Sequence, residues 1–346
     1  MDDLLKKLLD SAGVSGYEKE VSEIMRNELK KSTDQVFVDS LGNVIAKKGN
    51  GKKKIMLCAH MDEVGLVVKH ITKEGYINFI KIGGIDDRIL IGKEVIIKTK
   101  NADVLGIIGA KAPHLQKEEE AKKLPKYEDM FIDIGVKTKE DALKKVEIGD
   151  PIVFRAKAGV LNGDLYFGKA VDDRVGCYVL LKVMERLKVD AQIFAVSTVQ
   201  EEVGLKGART AAFKIAPDFS IILDTTTAGD TPQVKEADSC WKLGEGVAIT
   251  LIEAAGRGII VNENIKDIFI SVARKNKIKF QVGILEGGMT DAAIIYMTRE
   301  GIPSGVLSVP ARYIHSPYGV FNIKDVEATI SLTIKTIEHI VKENLF

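Results

Sequence analysis

The sequence predicts an α/β fold, a layered αβα mixed sheet interrupted by a smaller inserted β domain. Three observations predict it. After residue 168, apolar strand-like runs alternate with amphipathic helical runs, the pattern of a sheet covered by helices. From about Val68 to Leu161 that alternation stops, and short strands separated by glycines and charged turns replace it. The length of 346 residues exceeds one usual core and suggests two domains. The expected division assigns residues 1–68 and 163–346 to the layered domain and 69–162 to the insert.

Taken in order, Asp2-Asp3-Leu4-Leu5-Lys6-Lys7-Leu8-Leu9 reads as an amphipathic helix rather than a signal peptide, because charges interrupt every apolar run. Ser15 is expected to N-cap a helix over 17–31, with Val21, Ile24, Met25 and Leu29 on one face. Strands are expected at 35–39 and 43–48, joined by Ser40-Leu41-Gly42. The run Ile55-Met56-Leu57-Cys58-Ala59 is too apolar for a half-exposed strand and suits the middle of a covered sheet. Within the insert, strands are expected at 76–82, 93–99, 104–110, 130–134 and 151–155, with a short helix at 138–146. The charge run at 117–123 reads as a solvated loop or short helix.

After Gly168, a helix through about Leu187 buries Val175, Val179, Leu180, Val183 and Leu187. Strand 192–199, helix 204–215 and strand 219–223 follow. A second round comprises strand 247–253, helix 264–276, strand 279–285, a helix opened by Gly287-Gly288-Met289-Thr290-Asp291, and strand 305–309. Asn322, with Asp325 three residues on, is expected to cap the last helix, which runs to about Glu343.

Hydrophobic residues make up 45% of the chain, ample for a core, and 50 basic against 49 acidic residues leave a net charge of +1. Such a balance provides no global field to hold nucleic acid or a membrane surface. No segment approaches the roughly 18 apolar residues that span a bilayer. Cys58, Cys177 and Cys240 are odd in number and far apart, which argues against disulfides and cysteine-based zinc and for a reduced, cytoplasmic protein. Abundant Lys, Glu and Ile suggest a heat-adapted source.

Chemistry gathers at strand ends. Val199-Gln-Glu-Glu-Val-Gly places Glu201 and Glu202 directly after an apolar run, and neighbours on a strand face opposite ways. Both can serve one site only beyond the strand's end, where open α/β sheets keep their active sites. His60 follows 55–59, Asp224 follows 219–223, and His315 comes shortly after 305–309. Asp172 opens a helix, where the positive end of the dipole favours a carboxylate. Two histidines with three carboxylates exceed the needs of one catalytic zinc and suit two ions sharing a carboxylate. Each residue alone has a plainer explanation: a hydrogen-bonded surface His, an N-cap at Asp172 or Asp173, an Asx turn at Asp224-Thr225-Thr226. The coincidence across strands carries the case. His70, His114 and His339 occupy no such position and read as structural. The sequence contains no HExxH, no GxSxG and no Walker loop, and Gly83-Gly84 and Gly287-Gly288 are unspecific by themselves.

The blocks His60-Met-Asp62-Glu63-Val-Gly, Gly168-Lys-Ala-Val-Asp172-Asp-Arg-Val-Gly, Val199-Gln-Glu201-Glu202-Val-Gly-Leu-Lys-Gly-Ala, Ile222-Leu-Asp224 and Tyr313-Ile-His315-Ser resemble the tetrahedral (TET) aminopeptidases among the clan MH dinuclear metallopeptidases. The resemblance covers essentially the whole chain in order. It implies a metallopeptidase domain holding two divalent metal ions, zinc with cobalt as the alternative. It makes Asp172 the bridging ligand, His60 and Asp224 the ligands of one ion, and Glu202 and His315 those of the other. Asp62 becomes the carboxylate that orients His60, and Glu201 the general base. The insert becomes a PDZ-like dimerisation domain, and the partners become peptide substrates and further copies of the chain in a tetrahedral dodecamer built from dimers. The implied activity is removal of N-terminal residues with a broad preference for neutral or hydrophobic ones. The alternatives are a deacylase or carboxypeptidase of the same clan, or an assembly protein with a structural metal site. Met289 departs from the glycine usual in the family, which leaves side-chain preference open. Nothing supports glycoside hydrolysis, which places two carboxylates across a sugar and seldom needs paired metals.

Overall fold

In the computed structural model, which describes residues 1–346 except the side chains of Glu120 and Ala121, the first helix starts where its cap demands. Asp2 accepts the backbone N–H groups of Leu4 and Leu5, and α1 (Asp3–Asp10) buries Leu5, Leu8 and Leu9. The second helix, α2 (Lys19–Leu29), buries Val21, Ile24, Met25 and Leu29 as its periodicity predicts, but it begins later than expected. Its N-cap position is Glu18 and not Ser15, whose hydroxyl is engaged elsewhere. The hairpin β1 (Gln35–Val38) and β2 (Val44–Lys48) leads into β3 (Lys54–His60).

A closed barrel follows, built from β4 (Gly65–Ile71), β5 (Ile77–Ile82), β6 (Glu94–Lys98), β7 (Asp103–Gly109), β8 (Phe131–Asp133) and β9 (Pro151–Phe154) in the order β4-β5-β8-β7-β6-β9. Closure leaves no open edge. Its short helices are α3 (Glu118–Ala121), on the charge run, and α4 (Lys139–Leu143). Alternating residues such as Val68, Phe79, Val95, Ile97, Ile108, Ile132 and Ile152 fill a core of its own. The barrel opens at Gly65, earlier than 69, because Gly65 already pairs with Ile82. Residues 159–162, counted with the insert in the sequence reading, form β10 (Gly159–Asn162), which pairs with β11 (Leu165–Gly168) in the large sheet.

The remaining elements are α5 (Val171–Arg186), β12 (Gln192–Thr198), α6 (Lys206–Ile215), β13 (Phe219–Thr227), β14 (Val247–Glu253), α7 (Glu263–Lys275), β15 (Phe280–Leu285), α8 (Ala292–Ile295), β16 (Ser304–Arg312), β17 (Gly319–Asn322) and α9 (Ile323–Lys342). The mixed sheet runs β1-β2-β12-β3-β13-β16-β17-β11-β10, with β14 on β16 and β15 on β14. Its centre, β12-β3-β13-β16, is parallel throughout and almost wholly buried, as runs such as Ile55–Ala59 required. Helix α5 packs on β3 and β13 beside α1, α2 and α9, while α6 and α8 pack together against β12, β3 and β16. Asn322 caps α9 through the Lys324 N–H, as expected. The capping box is not completed, because the Asp325 carboxylate instead accepts the N–H groups of Gly244 (2.7 Å) and Gly246 (2.8 Å).

Candidate active site

Parallel pairing brings the carboxyl ends of β12, β3, β13 and β16 to one edge, the usual place for a site in an open α/β sheet. His60 is the last residue of β3 and lies level with Thr198 of β12. Asp224 proves to lie inside its strand and not past its end. β13 leaves β3 after the Ile222–Cys58 pair, but its β-branched Thr225-Thr226-Thr227 continues along β16.

Past β12, Gln200 takes a left-handed conformation (φ +57°), which ends the strand's alternation and lets two adjacent glutamates face one site. The buried Asp62 carboxylate accepts both following amides, Glu201 N–H at Oδ1 (3.0 Å) and Glu202 N–H at Oδ2 (3.1 Å). It also lies beside His60, whose Nδ1 is 3.2 Å from the Asp62 carbonyl and 3.5 Å from Oδ1. Asp62 thus fixes the His60 ring and the glutamate turn together.

The opposite ring nitrogens converge on Asp172. His60 Nε2 is 3.1 Å from Asp172 Oδ1, and His315 Nε2 is 3.2 Å from Oδ2. His315 Nε2 is also 3.2 Å from Glu202 Oε1, and His60 Nε2 is 4.0 Å from Asp224 Oδ1. Asp172 does not open the regular helix as expected: its φ and ψ (−81°, 107°) are extended, and it meets Asp173 through a cis peptide bond. All seven residues singled out in the sequence stand at this edge, whereas His70, His114 and His339 join neither of the ligand groups found among the described residues.

Two groups bring ligand atoms within 4.8 Å of one another, His60 with Asp172 and Glu202, and His60 with Asp173 and Asp224. Asp173 is a member that sequence reasoning treated only as a cap. Its carboxylate is already occupied, accepting the Gly176 N–H (3.0 Å) and the His60 N–H (3.2 Å), so it anchors the end of β3. Burial pushes the Glu201 and Asp224 carboxyls well above the usual range, His60 opposing and neighbouring carboxylates adding to it. Asp172 is held below that range despite its burial, because His315 and His60 flank it. Burial opposes charge on His315, yet Asp172 and Glu202 raise its pKa to about 10. Buried Glu202 Oε1 makes no well-aligned hydrogen bond, although His315 Nε2 stands 3.2 Å away. Such an excess of buried carboxylates fits cations that would neutralise them.

The barrel reaches this edge. A Cβ on Gly83 (φ +78°) would stand 2.7 Å from Val64 Cγ1 and 3.4 Å from Glu202 Cβ, and one on Gly84 would stand 3.4 Å from His315 Nδ1. A side chain there would crowd Glu202 and His315, a role for the Gly83-Gly84 pair that no local sequence signal announces. A small pocket at this edge is lined by Asp172, Glu202 and His315, with Lys169 and Tyr313 also on its wall.

Known proteins resemble this chain over nearly its whole length. The lysyl aminopeptidase of Pyrococcus furiosus is 33% identical over 98% of this chain and 97% of its own. The crystal structure of the TET aminopeptidase from the marine-sediment archaeon Thaumarchaeota archaeon SCGC AB-539-E09 superposes with a TM-score of 0.95, at 38% identity, covering 99% of this chain and 96% of that one. The TET1 peptidase of Pyrococcus horikoshii, which can assemble into a tetrahedron or a large octahedral shell, superposes with a TM-score of 0.87 at 35% identity, covering 96% and 98%. The family model described as M42 glutamyl aminopeptidase matches residues 42–332, from the loop before β2 to the middle of α9. The strand-end cluster therefore belongs to a peptide-bond hydrolase, and the chain is a member of the M42 aminopeptidase family.

Proposed function

We propose that this aminopeptidase works with two divalent ions, one held by His60 and Asp224, the other by Glu202 and His315, with Asp172 shared between them. The observation that carries this reading is the two-sided Asp172 carboxylate, each oxygen facing a different histidine at 3.1 and 3.2 Å. Asp173 stays outside the ligand set because amide donors occupy its oxygens. The imidazole and carboxylate donor set suits zinc, with cobalt as the alternative. The bound ions supply Lewis-acid polarisation of the scissile carbonyl and a lowered pKa for the attacking water.

The chain's own groups supply the proton traffic. Glu201, buried at this edge but in neither of the two ligand groups found among the described residues, takes a proton from the attacking water and passes it to the leaving amine. Asp62 keeps the His60 ring and the Glu201 backbone fixed while this happens. The preference is for neutral or apolar N-terminal residues, supported by the exposed Met289, which stands beside Gly258. The barrel, PDZ-like in role, mediates dimerisation and assembly into a tetrahedral dodecamer. Exposed Leu105 and Ile107 on β7 support this, as does the tetrahedral assembly of the Pyrococcus horikoshii relative. Three cysteines without a disulfide support a cytoplasmic location.

The test is hydrolysis of a panel of aminoacyl p-nitroanilides beside their N-acylated equivalents, with and without chelator. Cleavage of the free-amine substrates alone, abolished by chelator and restored by zinc or cobalt, is expected. Cleavage of the N-acylated set would favour a deacylase or endopeptidase, and chelator-resistant turnover would remove the ions from the mechanism.

A further inference from the structure

The turn that carries Glu201 is held from a part of the chain far away in sequence. Three successive amides donate to two buried carboxylates: Gln200 N–H to Glu18 Oε1 (3.1 Å), then Glu201 and Glu202 N–H to the two oxygens of Asp62. The same Glu18 oxygen accepts the Gly16 N–H (2.7 Å), and Ser15 Oγ donates to Asp62 Oδ2 (2.6 Å). Both Ser15 and Glu18 are buried. Their loop is itself fastened to the exit of β3, through Glu63 N–H to the Gly13 carbonyl (2.9 Å) and Gly13 N–H to Glu63 Oε1 (3.0 Å). Gln200 is a non-glycine residue at φ +57°, a conformation that persists when its surroundings hold it. Its one backbone donor points at Glu18.

We propose that Glu18 is a positioning residue of the hydrolytic reaction: it accepts the Gln200 N–H and so presets the left-handed turn that aims Glu201, while Ser15 steadies Asp62 from the same loop. The inference rests on the assignment of Glu201 as the base. Glu18 touches no reacting atom. Its contribution is geometric, and misplacing a catalytic group by about 1 Å costs up to ~10²-fold in rate.

The experiment compares Glu18→Ala, Glu18→Gln and Glu201→Gln as full-length metal-loaded enzymes, measuring kcat, KM, bound metal and melting temperature. Glu18→Ala is expected to lose roughly 10- to 100-fold in kcat with KM and metal content unchanged. Glu18→Gln, whose amide oxygen still accepts both N–H groups, is expected to recover most of that loss. Wild-type kcat in Glu18→Ala would overturn the proposal, as would an equal loss in Glu18→Gln or a loss that merely tracks missing metal or unfolded protein. If Glu18→Ala does not fold, Ser15→Ala takes its place, with a several-fold fall in kcat at full metal content expected and an unchanged kcat overturning the proposal. The control separates the two ideas. An active Glu201→Gln sinks the assignment of the base, whereas an inactive Glu201→Gln beside a fully active Glu18→Ala sinks the positioning role alone.

Discussion

At the scale of single residues, the two adjacent glutamates are chemically alike and their surroundings divide them. Glu202 Oε1 is buried, makes no well-aligned hydrogen bond and lies 3.2 Å from His315 Nε2, the surroundings of a ligand. Glu201 is buried in the same cluster but belongs to neither of the two ligand groups found among the described residues, the place of a group left free to exchange a proton. Glu201→Gln is therefore expected to keep its metal content and lose about 10²–10⁴-fold in kcat. Glu202→Gln should lose metal first, seen as less than the full complement after dialysis. Metal depletion in Glu201→Gln with retention in Glu202→Gln would exchange the two roles.

Between elements, the tension lies in a buried ion network that the chemistry does not use. Glu63 accepts from Lys169 Nζ (2.7 Å) and Arg174 Nη2 (3.2 Å), all three buried. Arg174 also donates to the carbonyls of Met61 (2.8 Å), Leu8 (2.9 Å) and Ser11 (3.1 Å). The network thereby locks the end of α1, the exit of β3 and the start of α5 around the segments that present His60 and Asp172. Replacing a buried pair by apolar groups is often neutral, but removing one partner strands the other charge. Glu63→Ala strands two cations and is expected to cost about 3–5 kcal/mol, read from denaturant unfolding. A loss no larger than the ~1 kcal/mol of an exposed pair would mean that water already screens the network.

For the whole molecule, the question is whether two cores are two units. The barrel and the large sheet each enclose their own apolar cluster, and β4 enters the barrel beside the strand by which the chain leaves it, Leu66 opposite Ile152. Residues 65–154 can therefore be replaced by a short glycine linker without stretching the sheet domain. The product is expected to fold cooperatively but not to assemble, which light scattering after size exclusion would report. It should also be less active, because Gly83 and Gly84 no longer lie against Glu202 and His315. A variant that still elutes as a large oligomer would place the assembly surface on the sheet domain.

Much of this protein is determined locally. Apolar runs that end in His60 and in Glu201-Glu202, together with the 3.6-residue periods of α2, α5 and α9, fix the parallel core and the edge where the chemistry gathers. These signals need only neighbours along the chain, so they are legible without coordinates. The tertiary structure decided what depends on distant partners. Ser15 and Asp325 have the residue types and spacing of helix caps, yet Asp62 and the Gly244 and Gly246 amides claim their side chains. Asp224 lies within its strand because β16 supplies pairing that β3 does not. The strand 159–162 joins the large sheet because β11 is its available partner. Asp173, Glu18 and Gly83-Gly84 acquire their places only when segments far apart in sequence meet, since hydrogen-bond partners and steric contacts across the fold leave no periodicity in the chain that bears them.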